Sequence, residues 1–281
     1  MVKLLLKSKI LHSIEGDMSQ ITVMTMNLRF GLALDGENGW THRKHLVDKI
    51  LKKYPGDFIG IQEANHFQTE FLIKSLSDHQ FIGWHNKSIG YWQSNLIFFH
   101  QSWQCLKHAH YFLSHTPKKQ SKLAGSKWPR QCVIGWFKRE EQEVLVANTH
   151  FDFNPHVQEK SAGLVMDFLS EFPKDLPVVI TGDFNCNPGS PAYEVFRFKG
   201  FGEVFENQDI TTFHEFEGRA TGKHLDWILF RGGLVPVFRQ VVKDSSLNRF
   251  PSDHYPVQAR FEWSNISGNN SRVNKIKGHH T

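Results

Sequence analysis

Residues 177–188, PVVITGDFNCNP, decide how the chain is read, because four β-branched residues run without interruption into Gly182, Asp183 and Asn185. A short run of this kind, bounded by turn formers, is a strand buried on both faces. Ending it on a carboxylate and an amide puts polar chemistry at the lip of a core. In this reading Gly182 lets the backbone bend and Pro188 closes the turn.

The pattern recurs along the chain. ITVMTMNL, DFIGIQE, NLIFFH, QCVIGWF, EVLVANTHF, HLDWILF and YPVQARFEW also read as strands. Helices are sparser: one capped by Thr41 and running through Val47 and Ile50 to Tyr54, one marked by Phe67, Phe71 and Leu72, and one over 156–172 with Leu164, Phe168 and Leu169 on one face. Strands apolar over their whole width with few helices predict two stacked sheets with helices outside.

The chain has 281 residues, 40% of them apolar, enough for one large domain. No run of 18 apolar residues occurs and Leu4 to Leu6 is too short for a secretory core, so a soluble cytoplasmic protein is expected; a monomer without stable membrane insertion is the accompanying expectation. Residues 1–18 read as a disordered or mis-started leader, with translation starting at Met18, and a basic amphipathic surface helix is the rival; peptides from residues 1–17 in mass spectrometry of the native amino terminus would reject the later start. Residues 264–281 read as a disordered polar tail. Of the net charge of +5, the tail carries +3 and the first 17 residues +1, which leaves a nearly neutral body. That argues against a nonspecific grip on long nucleic acid. Cys105, Cys132 and Cys186 lack CxxC spacing, so neither a disulfide framework nor a cysteine zinc site is indicated.

Four strands end in groups that bind metals or phosphates: Asn27, Glu63, His150 with Asp152, and Asp183 with Asn185. Asp226, Asp253 and His254 follow towards the carboxyl end. Taken singly, each has an ordinary reading: Asn and Asp make turns, Glu63 starts a helix, His150 packs in a core and Asp226 pairs with Lys223. Together they match what phosphoester hydrolysis requires, which is a cation on the phosphoryl oxygens, an activated water and proton transfer. Glu63 suits Mg²⁺ as a hard oxygen ligand, and Asp183 can orient or deprotonate water. Asn27 and Asn185 ligate or donate without adding negative charge. Asp226 can fix the tautomer of His254 and raise its pKa, and His150 can donate to a phosphoryl oxygen.

The ordered set MNLRF, IQE, NTHFD, TGDFN, LDWI and SDHYPV resembles the endonuclease/exonuclease/phosphatase superfamily over residues 19–263, which are read as its catalytic domain. The resemblance implies an α/β (α+β) fold, a four-layer α/β/β/α sandwich of two mainly antiparallel sheets flanked by helices. It implies Mg²⁺ or Mn²⁺ held at Glu63 and Asn27 with Asp253 beside it, and a catalytic set of Asp183, Asn185, His254, Asp226 and His150. Asp183 is favoured as the base and His254 as the phosphate-facing partner. A histidine at position 150 is similar to the deoxyribonuclease and deadenylase branches and unlike the apurinic-endonuclease branch. The phrases LSHTP and TTFHEF resemble the deadenylase-like and uncharacterised bacterial branch, where an arginine at the position of Arg130 faces the phosphate. Gln93 and Ser94 depart from the Gly-Glu pair of many relatives.

Specificity is expected from two loops. GWHNKSIGYWQSN carries Trp84, His85, Lys87, Tyr91 and Trp92, which read either as a base-stacking surface or as ordinary packing. LSHTPKKQSKLAGSKWPRQ carries Lys118, Lys119, Lys122, Lys127 and Arg130, read either as a phosphate-facing stretch or as a solvated run. Arg130, Asn95 and Trp92 are the expected substrate contacts. The resulting expectation is a metal-dependent phosphodiesterase or nuclease acting on nucleic acid or nucleotides. The alternatives are a phosphomonoesterase, an inositol or sphingolipid phosphodiesterase, or a phosphate-binding protein without turnover.

Overall fold

The computed structural model describes residues 19–85 and 92–264, so the expected leader and tail, with Lys87 and Tyr91, lie outside the described residues. The first half runs β1 (Gln20–Asn27), α1 (Trp40–Lys53), β2 (Phe58–Ala64), α2 (His66–Ser75), β3 (His79–Gly83), β4 (Ser94–His100) and β5 (Gln104–Phe112). The second runs β6 (Gln131–Arg139), β7 (Gln142–His150), α3 (Pro155–Leu169), β8 (Val178–Asp183), α4 (Pro191–Phe198), β9 (Gly202–Glu203), β10 (Asp226–Arg231), β11 (Leu234–Val241) and β12 (Val257–Trp263).

The strands form two six-stranded sheets, ordered β11-β12-β1-β2-β4-β3 and β5-β6-β7-β8-β10-β9. Each sheet is antiparallel except for one parallel pair, β1 with β2 and β7 with β8. Three hydrophobic clusters fill the three gaps of a four-layer sandwich. Val23, Phe58, Val146 and Val179 meet between the sheets. Met24, Ile59 and Leu72 lie under α1 and α2, and Ile180, Val165 and Phe196 lie under α3 and α4. The expected α/β/β/α sandwich is the architecture found.

The apolar run over residues 178–181 divides into two faces. Along β8, Val178 and Ile180 face the helices while Val179 faces the other sheet, as a period of two requires. Burial on both faces is why no polar alternation marks the strand.

Gly182 does a different job from the bend expected of it. It lies inside β8, and a Cβ there would meet the Thr149 carbonyl oxygen of β7 at 2.4 Å. Its lack of a side chain permits close strand approach, and the turn is made by Asn185, at φ 52°. Gly182→Ala must push backbone against backbone in a parallel pair, so it is expected to destabilise the fold by about 1–3 kcal/mol. A fall in the urea midpoint at unchanged slope checks this; an unchanged midpoint would show that the two strands part without cost.

Other expectations are corrected locally. Helix α1 starts at Trp40 after Gly39, so Thr41 lies in the first turn and no side chain caps the helix. Trp40 leads because its ring is buried edge-on against Phe71 at 5.3 Å. Glu63 does not start α2; Asn65 caps it in a reciprocal capping box with Gln68. The strands β3, β5, β9 and β11 and the helix α4 were not legible: β9 has two residues, and long stretches of β5 and β11 are exposed and carry no apolar run. Among the described residues, no helix is long and apolar enough to cross a membrane.

Candidate active site

The functional groups gather because strand direction and side-chain period agree. Strands β1 and β2 run together, as do β7 and β8, and their carboxyl ends meet at one edge of the sandwich. Strands β10 and β12 run antiparallel to β8 and β1, so their amino ends arrive at the same edge. Hence Asn27, His150 and Asp183 come from strand ends, while Asp226 opens β10 and His254 precedes β12. On β1, β7, β8 and β10 the functional residue falls on the inter-sheet face, in step with Val23, Val146, Val179 and Ile228.

Glu63 is out of step with that period. The face of Ile59 and Ile61 would carry it towards the helices, yet β2 is irregular between Ile61 and Ala64 and Glu63 takes φ 62°. A bulge with a left-handed residue re-aims the carboxylate into the cleft at a conformational cost of about 1–2 kcal/mol. Arg29 and Asn185, at φ 55° and 52°, are held similarly.

Asp183 is the hub and is 1% exposed. Its Oδ2 accepts from Asn27 Nδ2 at 2.9 Å and lies 3.4 Å from His150 Nε2 and 3.8 Å from His254 Nε2. Its Oδ1 accepts from the Asn185 backbone N–H at 2.9 Å. His254 Nδ1 meets Asp226 Oδ2 at 2.7 Å, so Asp226 is paired with His254 and not with Lys223. Phe213 covers the His254 ring at 4.8 Å.

The charges follow from burial and neighbours. Burial pushes the Asp183 carboxyl up to about 7, with His254 opposing and Asp226 adding to the shift. Burial also disfavours the charged His254, but the Asp226 and Asp183 carboxylates outweigh it and hold the imidazolium well above the ordinary histidine range. His150 goes the other way, neutral because of burial and because Arg130 and His254 are cationic neighbours. Two histidines 3.4 and 3.8 Å from one carboxylate oxygen therefore carry different charges.

Glu63, His150 and Asp183 offer ligand atoms within 4.8 Å of one another. Two hard carboxylates in that set fit a Mg²⁺-like ion, which takes one or two carboxylates and keeps its waters. Asn27 presents its nitrogen here: the amide NH₂ bridges Glu63 Oε1 at 3.1 Å and Asp183, while its oxygen accepts from Arg29 N–H at 2.8 Å. Asp253 lines the cleft 3.6 Å from Arg29 Nε, and Arg29 forks onto Asp35 at 2.8 and 2.9 Å. Asn185 lines the cleft too, its amide tied to Phe151 O at 2.9 Å. Asp152 stays out of the cleft lining and binds Ser126 Oγ and Lys127 N–H.

A second cavity of about 500 Å³ adjoins the cleft, and His150 lines both. Phe30, Trp92, Asn95, Trp128, Arg130 and Gln131 are among its walls. Thus Arg130, Asn95 and Trp92 fall together beside the candidate catalytic cluster. Arg130 is 6% exposed and lies over Phe153, with its Nε 4.0 Å from Asp152 Oδ2; neither that Nε nor Trp92 Nε1 makes a hydrogen bond. Trp84 and Trp92 pack on each other at 4.9 Å and both meet Phe112, so packing accounts for much of this loop. Lys118, Lys119, Lys122 and Lys127 are exposed, a solvated run.

Several contributors went unassigned from sequence. Arg29, Phe153, Phe213 and Lys223 line the cleft, although Arg29 and Phe213 stand inside the quoted phrases MNLRF and TTFHEF. His214 of the same phrase stacks on Tyr255 at 3.8 Å, and burial lowers it to about 4, which makes it a neutral brace for the SDHY segment. Arg43 was not legible at all. It is fully buried and donates to the carbonyls of Leu28, Arg29, Asn38 and Pro251.

Comparison with known proteins agrees with this fold. A solved endonuclease/exonuclease/phosphatase family protein from Bacteroides thetaiotaomicron superposes with a TM-score of 0.80 at 26% identity, covering 87% of this chain and 98% of that one. A mannosyl-6-phosphatase from the same organism gives 0.79 at 26% identity, covering 86% and 100%. Carbon catabolite repressor protein 4 homolog 5 of Arabidopsis thaliana is 25% identical over 181 residues, 55% of this chain but only 37% of the plant protein's length. The model of the Endonuclease/Exonuclease/phosphatase family matches residues 24–254, which carry every catalytic and metal-binding candidate named above. The chain belongs to the Endonuclease/Exonuclease/phosphatase family, whose members are phosphoester hydrolases.

Proposed function

We propose that the chain is a Mg²⁺- or Mn²⁺-dependent phosphodiesterase acting on nucleotide-containing substrates by in-line attack of water. The observation that carries this reading is the juxtaposition of a buried carboxylate between two histidines of opposite protonation and an aromatic cavity sharing His150 as a wall. Glu63 and Asp183 would hold the ion, with Asn27 and Asp253 beside it. The bound ion would supply Lewis-acid neutralisation of phosphoryl charge.

The protein's own groups divide the remaining work. Asp183 accepts a proton from the attacking water, whose oxygen forms the new bond to phosphorus as the bond to the leaving oxygen breaks and that oxygen takes up a proton from solvent. His254, charged and oriented by Asp226, donates from Nε2 to a phosphoryl oxygen, and neutral His150 donates a second hydrogen bond. Asn27 keeps Glu63 and Asp183 together, and Asn185 fixes Asp183 through its backbone N–H. Arg130 approaches the phosphate from the cavity side. The faces of Trp92, Trp128 and Phe30 offer a base a stacking surface, with Asn95 and Gln131 at the edge.

Trp128 is 52% exposed, so its removal spares the core. Trp128→Ala is expected to raise KM for a short oligonucleotide about 5- to 100-fold, the worth of one base stack, while turnover of an aryl phosphodiester stays within twofold. Equal effects on both substrates would remove the stacking role.

A second reading, a sugar phosphomonoesterase, is favoured by the likeness to the mannosyl-6-phosphatase and by Gln93, Asn95 and Gln120 in the cavity. Rates on a panel of RNA and DNA oligonucleotides, nucleotides, sugar 6-phosphates, inositol phosphates and sphingomyelin test the choice. The largest kcat/KM on an oligonucleotide or nucleotide supports the first reading, and the largest on a sugar phosphate replaces it with the second. Activity confined to inositides or lipids overturns both.

A further inference from the structure

A second cluster of metal-binding side chains shares no residue with the hydrolytic centre. His66 is the first residue of α2 and Glu70 lies one turn on, so the helix presents both on one side. His85 comes from the chain just beyond β3. His66 Nδ1 and His85 Nε2 are 2.7 Å apart with the rings stacked at 4.9 Å, and Glu70 Oε1 is 4.0 Å from the same His85 nitrogen. All three ligand atoms lie within 4.8 Å of one another.

We propose that His66, Glu70 and His85 form a second metal site taking a borderline-soft divalent transition-metal ion of the zinc class. Two imidazoles and one carboxylate with a fourth position open are a donor set for zinc, whereas Mg²⁺ prefers oxygen throughout. A tetrahedral ion with bonds near 2.0–2.1 Å holds two nitrogens roughly 3.3 Å apart, so the imidazoles must separate by little more than half an ångström. Glu70, whose side chain is 42% exposed, has room to swing in. His85 is half-buried against Phe81, with ring centroids 6.1 Å apart, so the site has a supporting wall.

The location gives the ion a role. Helix α2 follows directly on Glu63 and Asn65, and His85 adjoins Trp84, which packs on the cavity residue Trp92. An ion there fastens the aromatic wall of the cavity to the element that follows the bulged Glu63. It is a structural clamp and takes no part in the hydrolytic step.

Co²⁺, whose four-coordinate complexes absorb strongly in the visible, is the probe. The protein is untagged, with His279 and His280 changed to alanine, and Glu63→Gln with Asp183→Asn disables the hydrolytic centre. One equivalent of Co²⁺ is expected to give a four-coordinate spectrum that Zn²⁺ bleaches and a tenfold excess of Mg²⁺ does not. His66→Ala and His85→Ala should each weaken Co²⁺ binding more than tenfold, and Glu70→Gln severalfold, with far-ultraviolet circular dichroism confirming that each variant is folded. No spectrum in the disabled protein, or one indifferent to both histidines, overturns the site. Because the hydrolytic centre is already disabled, the outcome does not depend on which substrate the cleft takes.

Discussion

Asp183→Asn is expected to lower kcat on any accepted phosphodiester by about 10³- to 10⁴-fold while KM changes little, since the amide fills the same space but accepts no proton. His254→Gln is expected to cost about 10²- to 10³-fold through loss of one charged donor to the phosphoryl group. A rate within tenfold of the unchanged protein for Asp183→Asn would remove Asp183 from the role of base. The same variant carries a stability signature. Burial raises the folded-state pKa of Asp183 above its unfolded value, so its contribution to stability is full at low pH and is lost as pH rises through about 7. Above that pH the buried carboxylate destabilises the fold, and Asp183→Asn should melt at an equal or higher temperature than the unchanged protein.

The pH profile follows from the same two groups. In the proposed mechanism Asp183 acts deprotonated and His254 protonated, so kcat/KM should rise through the raised pKa of Asp183 and fall above the still higher pKa of His254. Raising Mg²⁺ should move the acid limb to lower pH, because a divalent cation at Glu63 favours the carboxylate form of Asp183. His254→Gln should abolish the alkaline limb and leave the acid limb in place. A profile unchanged in that variant would transfer the alkaline limb to another group.

Arg43→Met is expected to destabilise the fold by about 3–5 kcal/mol, the largest single effect outside the cleft. Its guanidinium satisfies four carbonyls, with donor distances of 2.6–3.0 Å, and methionine would leave them buried without a donor. Burial lowers the guanidinium to about 10, so it stays charged at neutral pH. Two of those carbonyls, on Leu28 and Arg29, follow Asn27; a third, on Pro251, lies two residues before Asp253. Arg43 therefore ties the strand end that holds Asn27 to the loop that holds His254. Urea melts should show the loss of stability, and kcat should fall further than KM rises as the two segments slip. Arg43→Lys, lacking the planar fork, should recover only part of either effect. A loss below about 1 kcal/mol for Arg43→Met would show that water replaces the fork.

Asp183, His150 and Asn27 were readable because each extends an apolar strand by a period-two step, and a strand's direction is fixed by its sequence. His254 and Asp226 were readable as chemistry, but nothing local says that β10 and β12 run against β8 and β1. Glu63 was named as a candidate although the period alone points it at the helices, since only the bulge turns it into the cleft. The role of Arg43 was invisible because its partners are backbone carbonyls up to 208 residues away, and carbonyls have no sequence signature.

By itself the sequence determined the apolar strands, the stacked-sheet class and the ordered list of candidate site residues, because burial and side-chain period are written into local residue types. Only the tertiary structure decided that Asp226 pairs with His254 rather than Lys223, that Asn27 bridges two carboxylates, and that His150 and His254 carry different charges. It also decided that Gly182 serves close approach and not a bend. Charge state and hydrogen-bond partner depend on distance and desolvation, and both exist only once the two sheets have closed on each other.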